Sequence, residues 1–139
     1  MRARTAIFFP LVVLTACSLP GSQIHTADDL AQALEKGGLA FTERSRANLS
    51  QFRHARIDEG LELRGDGIAV DILRITDRRT WNVYSDGVAF LGIAEAAAGT
   101  SFPGKPDVVV RRPFIVIVRE EPVAGRVRGI VERLVKESS

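Results

Sequence analysis

Five consecutive apolar residues, Phe114-Ile115-Val116-Ile117-Val118, constrain this chain more than any other stretch. A strand with one wet face alternates apolar and polar residues, because successive side chains point to opposite faces. This run does not alternate. It belongs in a central strand covered on both faces, or in one paired deep within a sheet. Pro113 stands at its start, where a missing N–H is tolerated. Val108-Val109-Val110 offers a neighbouring strand.

The middle of the chain reads as a hairpin. Leu61-Glu62-Leu63-Arg64 alternates, Gly65-Asp66-Gly67 supplies a turn, and Ile68, Val70 and Ile72 resume the alternation. Leu39-Ala40-Phe41 can enter a further strand.

Helical spacing appears at both ends of this body. Thr26 is placed to cap a helix with Asp28 and Asp29 in its first turn, where the helix dipole favours acids. Ala27, Leu30, Ala31 and Leu34 form its apolar stripe, and Gly37-Gly38 ends it. After Glu120-Glu121-Pro122 comes the cleanest stripe in the chain: Val123, Val127, Ile130, Val131, Leu134 and Val135. Glu132 can pair with Arg128 and Lys136 on its wet side. Asp77 to Tyr84 reads as a short helix before the turn pair Asp86-Gly87. The alanine-rich stretch from Phe90 to Ala98 can form another, and Gly99 to Pro106 is a loop.

This order predicts an α+β fold: a mostly antiparallel sheet of about 4–5 strands with an N-terminal and a C-terminal amphipathic helix packed on it. About 120 residues suit a single domain with a real core.

The N-terminus tells a separate story. Arg2 and Arg4 precede an 11-residue apolar run, Ala6 to Ala16, interrupted by Pro10. A membrane-spanning helix needs about 20 apolar residues. A charged start, a short apolar core and small residues before a cut mark a removable secretory signal. Here the small pair Thr15-Ala16 is followed by Cys17, the only cysteine in the chain. Leu14-Thr15-Ala16-Cys17 resembles the lipobox of bacterial lipoproteins, in which that cysteine is acylated and becomes the first mature residue. The competing explanations are an ordinary secretory signal with a cysteine near the cut, or a short buried helix. Four features agree with the lipobox in order and spacing, and a lone buried cysteine would not explain the basic start. Each buried acyl CH₂ contributes about 0.8 kcal/mol and one chain gives only marginal binding. The three chains expected of a bacterial lipoprotein would anchor the protein stably. Ser18, rather than aspartate, is the residue that usually permits transfer to an outer membrane in Gram-negative bacteria.

The expected organisation is therefore a removed signal over 1–16, a lipidated cysteine and tether over 17–25, and one domain over 26–137. Removing the signal also changes the charge. The chain has 19 Lys+Arg and 17 Asp+Glu; without Arg2 and Arg4 it has 17 of each. The pI of about 9.1 belongs to the precursor. No overall basic excess remains to favour nucleic acid. A lone cysteine also excludes an intrachain disulfide.

The body itself resembles a group of small uncharacterised bacterial lipoproteins. Ile24-His25-Thr26-Ala27-Asp28-Asp29-Leu30, Ala33-Leu34 and Gly38-Leu39 are similar to their opening S-F-x-D-L-x-x-A-L-x-x-x-G. Gln51-Phe52, Gly65-Asp66, Asp86-Gly87 and the strand Phe114 to Val118 occupy places similar to later family features. The chain departs in lacking the proline of the first of these later segments and the tyrosine of the strand. It also carries extra alanine-rich sequence near residues 90–106. The resemblance implies a fold outline over most of residues 24–135 and an envelope address, and brings no assigned activity with it.

Several constellations invite a functional reading. Arg64-Gly65-Asp66 spells an adhesion tripeptide, although Gly-Asp-Gly is also what a tight turn needs. His54 stands near Arg53, Arg56, Asp58 and Glu59, but no nucleophile signature accompanies it and no ligand spacing suggests a metal. A solvated histidine is the simpler account. Arg78-Arg79, Arg111-Arg112 and Arg126 with Arg128 can form a basic face, or merely solvate separate elements. Trp81 and Tyr84 suit the core better than a stacking pair. Gly125-x-x-x-Gly129 resembles a membrane-helix motif, yet the arginines around it favour close helix-on-sheet packing.

These readings lead us to expect a lipid-anchored envelope protein, a binding or accessory module and not an enzyme, held through Cys17 on the extracytoplasmic side of a membrane. No cofactor, metal or nucleic-acid partner is expected, and an envelope protein partner is possible. An envelope hydrolase or other enzyme, or a structural subunit of a secretion or transport assembly, are the alternatives.

Overall fold

The computed structural model describes residues 23–51, 55–86, 106–119 and 121–136. Its five strands are β1 (Glu43–Arg46), β2 (Glu59–Gly65), β3 (Ile68–Arg74), β4 (Asp107–Arg111) and β5 (Phe114–Val118). They form one antiparallel sheet in the order β1-β2-β3-β5-β4. Three described helices accompany it: α1 (Ala27–Lys36), α2 (Arg78–Tyr84) and α3 (Glu121–Leu134). The fold is α+β.

All five residues of β5 are buried, as its unbroken apolar run requires. Phe114, Val116 and Val118 join the larger core with Leu61 and Leu63 of β2, Val70 and Ile72 of β3, and Val109 of β4. Over this face lie α1, through Ala27, Leu30, Ala31 and Leu34, and α3, through Val127, Ile130 and Val131. Burying each large side chain of this set contributes about 1.5–3 kcal/mol. Ile115 and Ile117 point the other way, into a smaller core with Leu73, Ile75 and Trp81 of α2.

The termini of α1 show how locally this helix is specified. Thr26 accepts from the Asp29 N–H at 3.0 Å, and the Asp29 carboxylate accepts from the Thr26 N–H at 3.0 Å, a reciprocal capping box. A third acceptor comes from far away in sequence: Glu59 of β2 takes the Ala27 N–H at 3.0 Å and the Arg74 Nε at 2.7 Å. At the other end the Gly38 N–H donates to Glu35 O at 3.0 Å and the Leu39 N–H to Leu34 O at 3.1 Å. This double closure needs left-handed backbone at Gly38, whose φ is 102°.

That closure corrects one expectation. Leu39 does not enter a strand; it is buried with Leu34 in the larger core beneath the end of α1. The strand starts later, at Glu43, where all four residues are exposed and nothing alternates. Pairing with β2 determines β1, so its side chains give no signal. Ahead of α1, Ile24 is partly buried against the larger core.

Asp77 caps α2 by accepting from the Thr80 N–H and Oγ1, each at 2.9 Å. The β2–β3 loop is Asp66-Gly67, with Gly67 at φ 68°. The β4–β5 loop is Arg112-Pro113, joined by a cis peptide bond. Phe90 to Ala98, Gly87 and residues 99–105 lie outside the described residues.

Candidate functional site

Two charged arrangements stand out, and they differ in what they leave available. The first lies on the sheet face opposite α1 and α3. Asp71 of β3 is 7% exposed, flanked by Glu62 on β2 and Ile117 on β5. Its carboxylate accepts from Arg64 Nη1 at 2.8 Å and from Arg119 Nη2 at 2.6 Å. Burying a carboxylate is costly unless it is paired and hydrogen-bonded; two guanidinium groups supply that here. Arg64 also donates to Leu63 O at 2.9 Å.

This arrangement resolves Arg64-Gly65-Asp66. The arginine is held against Asp71 and is not displayed at the hairpin tip. The glycine is there because a Cβ at position 65 would fall on the Ala40 carbonyl oxygen. Asp66 and Gly67 form the loop. Turn and packing chemistry account for all three residues.

The second arrangement is a cleft of about 390 Å³ between α1 and α3. The chain enters the fold along it, with Gln23 and Ile24 on its wall. From α1 come Asp29, Gln32, Ala33 and Lys36, one helical stripe beside the buried one; from α3 come Arg133 and Leu134. Lys36 and Arg133 are exposed and make no ion pair among the described residues. The Asp29 carboxylate is engaged by the N–H groups of His25 and Thr26, both at 3.0 Å. The His25 N–H is the main reason its pKa lies below the ordinary value of 3.8, with opposition from partial burial. The cleft thus offers two uncommitted cations, two carboxamides and an apolar lining of Ile24, Ala33 and Leu134. Such a donor set suits an anionic group carried on an apolar body.

Leu134 is a correction to the sequence reading. It belongs to the apolar stripe by spacing, yet it is 40% exposed. Across the seam α1 presents Gln32, Ala33 and Lys36, none of which closes over it. Spacing identifies the stripe but cannot say which member meets a small or polar neighbour.

The α3 glycines are a second correction. A Cβ at Gly125 or Gly129 would meet nothing within 4 Å, so neither serves close packing. Between the two helices close packing belongs instead to Gly37, where a Cβ would fall on Ile130 of α3.

The arginines do not make one basic face. Arg128 donates to Asp107 at 2.7 Å and to Val108 O at 3.2 Å, holding α3 against the edge strand β4. The Asp107 hydrogen bond raises its pKa, opposed by partial burial. Arg111 donates to Glu132 O at 3.1 Å. Arg78 and Arg79 belong to α2, on the other side of the sheet.

Trp81 sits in the smaller core with Tyr84 packed partly against it. The acids near position 54 are committed elsewhere: Asp58 accepts from Thr76, and Glu59 from Ala27 and Arg74. His54, Cys17 and Ser18 lie outside the described residues. Among the described residues no three His, Cys, Asp or Glu side chains converge as a metal site would. No described helix is long and apolar enough to cross a membrane.

Among known proteins, no family model matches this chain, and no curated protein or solved structure is significantly similar to it.

Proposed function

We propose that this protein is a lipid-anchored component of a bacterial cell envelope, a non-catalytic binding or accessory module held by acyl chains on Cys17. The observation that carries the reading is the order of features before that residue: Arg2 and Arg4, the short apolar run, Thr15-Ala16, then the only cysteine. A run of 11 apolar residues suits a removed signal and falls short of a span. The likeness of residues 24–135 to small envelope lipoproteins points the same way. In the mature protein α1 would be the first element after a tether of a few residues, and residues 26–137 would form the single body. With Ser18 after the cysteine, the address in a Gram-negative cell would be the outer membrane, facing the periplasm.

The test is direct. Cells expressing the full chain and a Cys17→Ala variant are fed an alkyne-bearing fatty acid and fractionated. Label on the wild type, with label and membrane retention both lost in Cys17→Ala, supports the anchor. An unlabelled wild type, or a variant that stays on the membrane and matures normally, overturns it. Turnover by the purified mature protein in a broad hydrolase screen, abolished by His54→Ala, would instead establish the enzyme reading.

A further inference from the structure

We propose that the α1–α3 cleft is the face that docks on the membrane holding the acyl chains, with Lys36 and Arg133 meeting lipid phosphates and Leu134 entering the interface. This inference rests on the anchoring reading and adds to it an orientation and a class of ligand, the phosphate-bearing headgroup.

Reach supplies the first argument. Gln23, on the wall of the cleft, is six residues beyond Cys17. At about 3.3–3.6 Å per residue the tether spans at most ~20 Å. A domain of this size has a radius of gyration of about 13 Å, hence a diameter on the order of 35 Å. The tether is shorter than the body is wide. Surfaces opposite Gln23 cannot reach the headgroups, and the cleft at the root of the tether lies closest to them.

Charge supplies the second. Most arginines around the sheet edges are committed: Arg44 and Arg46 to Asp28, Arg64 to Asp71, Arg74 to Glu59, Arg128 to Asp107. Arg56, Arg78, Arg79, Arg112 and Arg126 also make no ion pair among the described residues, but Lys36 and Arg133 are the two open cations that converge on one cleft. Its single carboxylate, Asp29, is occupied by backbone N–H groups.

The apolar component is the third. Leu134 is one of two large apolar side chains left exposed among the described residues, and it stands in this cleft. Cations flanking an exposed leucine suit the headgroup–acyl boundary, where the leucine is buried and the charges stay at phosphate level. Val83, the other exposed apolar residue, lies on α2 at the opposite sheet face.

The single cysteine makes a defined experiment possible. The mature chain beginning at Cys17 is coupled through its thiol to a maleimide lipid in vesicles with brominated acyl chains. These vesicles contain phosphatidylglycerol and phosphatidylcholine in equal parts, or phosphatidylcholine alone. Leu134→Trp and Val83→Trp report contact by quenching, against the common background of Trp81, which is 9% exposed. Quenching is expected at position 134 and not at 83, on the anionic vesicles. Each cation near such a surface is worth about fivefold in partition, so Lys36→Gln with Arg133→Gln should lower the docked-to-undocked ratio roughly 25-fold. Equal quenching at 134 and 83, no quenching at 134, equal docking on phosphatidylcholine, or insensitivity to the glutamine pair would each overturn the proposal. Because the coupling is chemical, these results do not depend on whether cells acylate Cys17, which the labelling experiment decides separately.

Discussion

Arg64 and Asp71 meet at 2.8 Å across the β2–β3 hairpin, diagonal neighbours on the sheet face opposite the two long helices. The contact turns the arginine of an apparent adhesion motif into the partner of a buried acid. Arg119 completes the arrangement from the end of β5, donating to the other carboxylate oxygen through Nε at 3.1 Å and Nη2 at 2.6 Å. Three separate stretches of chain are thus joined through one carboxylate.

Removing that carboxylate should be the most damaging single polar change. Truncating one member of a buried ion pair costs about 3–5 kcal/mol. The arginines here reach solvent, so Asp71→Ala should cost somewhat less, about 2–4 kcal/mol. Arg64→Ala leaves Arg119 in place and should cost less again. Urea denaturation of the mature chain measures both; an Asp71→Ala loss below that of Arg64→Ala would remove the carboxylate from its central place.

The glycines separate by what a methyl group would meet. Gly65→Ala should destabilise by about 1–3 kcal/mol, because the obstacle is the backbone carbonyl of Ala40. Gly125→Ala and Gly129→Ala should each stabilise by about 0.5–1 kcal/mol, since alanine is the better helix former and space is open. Thermal melts of the three variants give the signs. A loss of stability at 125 or 129 would mean that the glycines contact something.

The caps of α1 predict a further ordering. Thr26→Ala should cost about 0.5–2 kcal/mol, the range for losing an N-cap side chain. Glu59→Gln keeps an acceptor for the Ala27 N–H but loses the ion pair with Arg74, so its cost should be smaller than that of Glu59→Ala. Hydrogen exchange at the first turn of α1 reads the effect where it acts.

Acid should weaken the fold through the same caps. Asp29, mainly through the His25 N–H, and Asp77, mainly through the Thr80 N–H, both sit below their ordinary value of 3.8. A carboxylate whose pKa is lowered by folding binds fewer protons in the folded state than in the unfolded one. Its contribution is complete above the unfolded pKa and disappears as pH falls through the lower folded value. Stability should therefore decline below about pH 4. Asp29→Asn combined with Asp77→Asn should flatten that decline, as measured by denaturation at a series of acidic pH values.

Much of the fold is legible in sequence because its signals are local. The α1 stripe, its Thr26 cap and its Gly37-Gly38 stop all depend on residues within one or two turns. The same holds for the Asp66-Gly67 loop, and the unbroken apolar run of β5 announces a strand covered on both sides. The edge strand β1 was illegible because all four residues of Glu43–Arg46 are exposed. It is held by backbone pairing with β2 and by ion pairs from Arg44 and Arg46 to the acids of α1, none of which leaves an apolar pattern. The cleft was illegible for a related reason. Lys36, Arg133 and Leu134 are unremarkable in their own helices and acquire a joint meaning only where α1 and α3 meet.

The sequence by itself determined the α+β class, the three described helices, the caps of α1, and the expectation of an anchor at Cys17. Each follows from the periodicity or order of neighbouring residues. Only the tertiary structure decided which charges are committed and which are available. It turned Arg64 inward to Asp71, locked Arg128 onto β4, and left Lys36 and Arg133 open beside an exposed Leu134. Pairing between charges depends on distances across the fold, and no spacing along the chain encodes them.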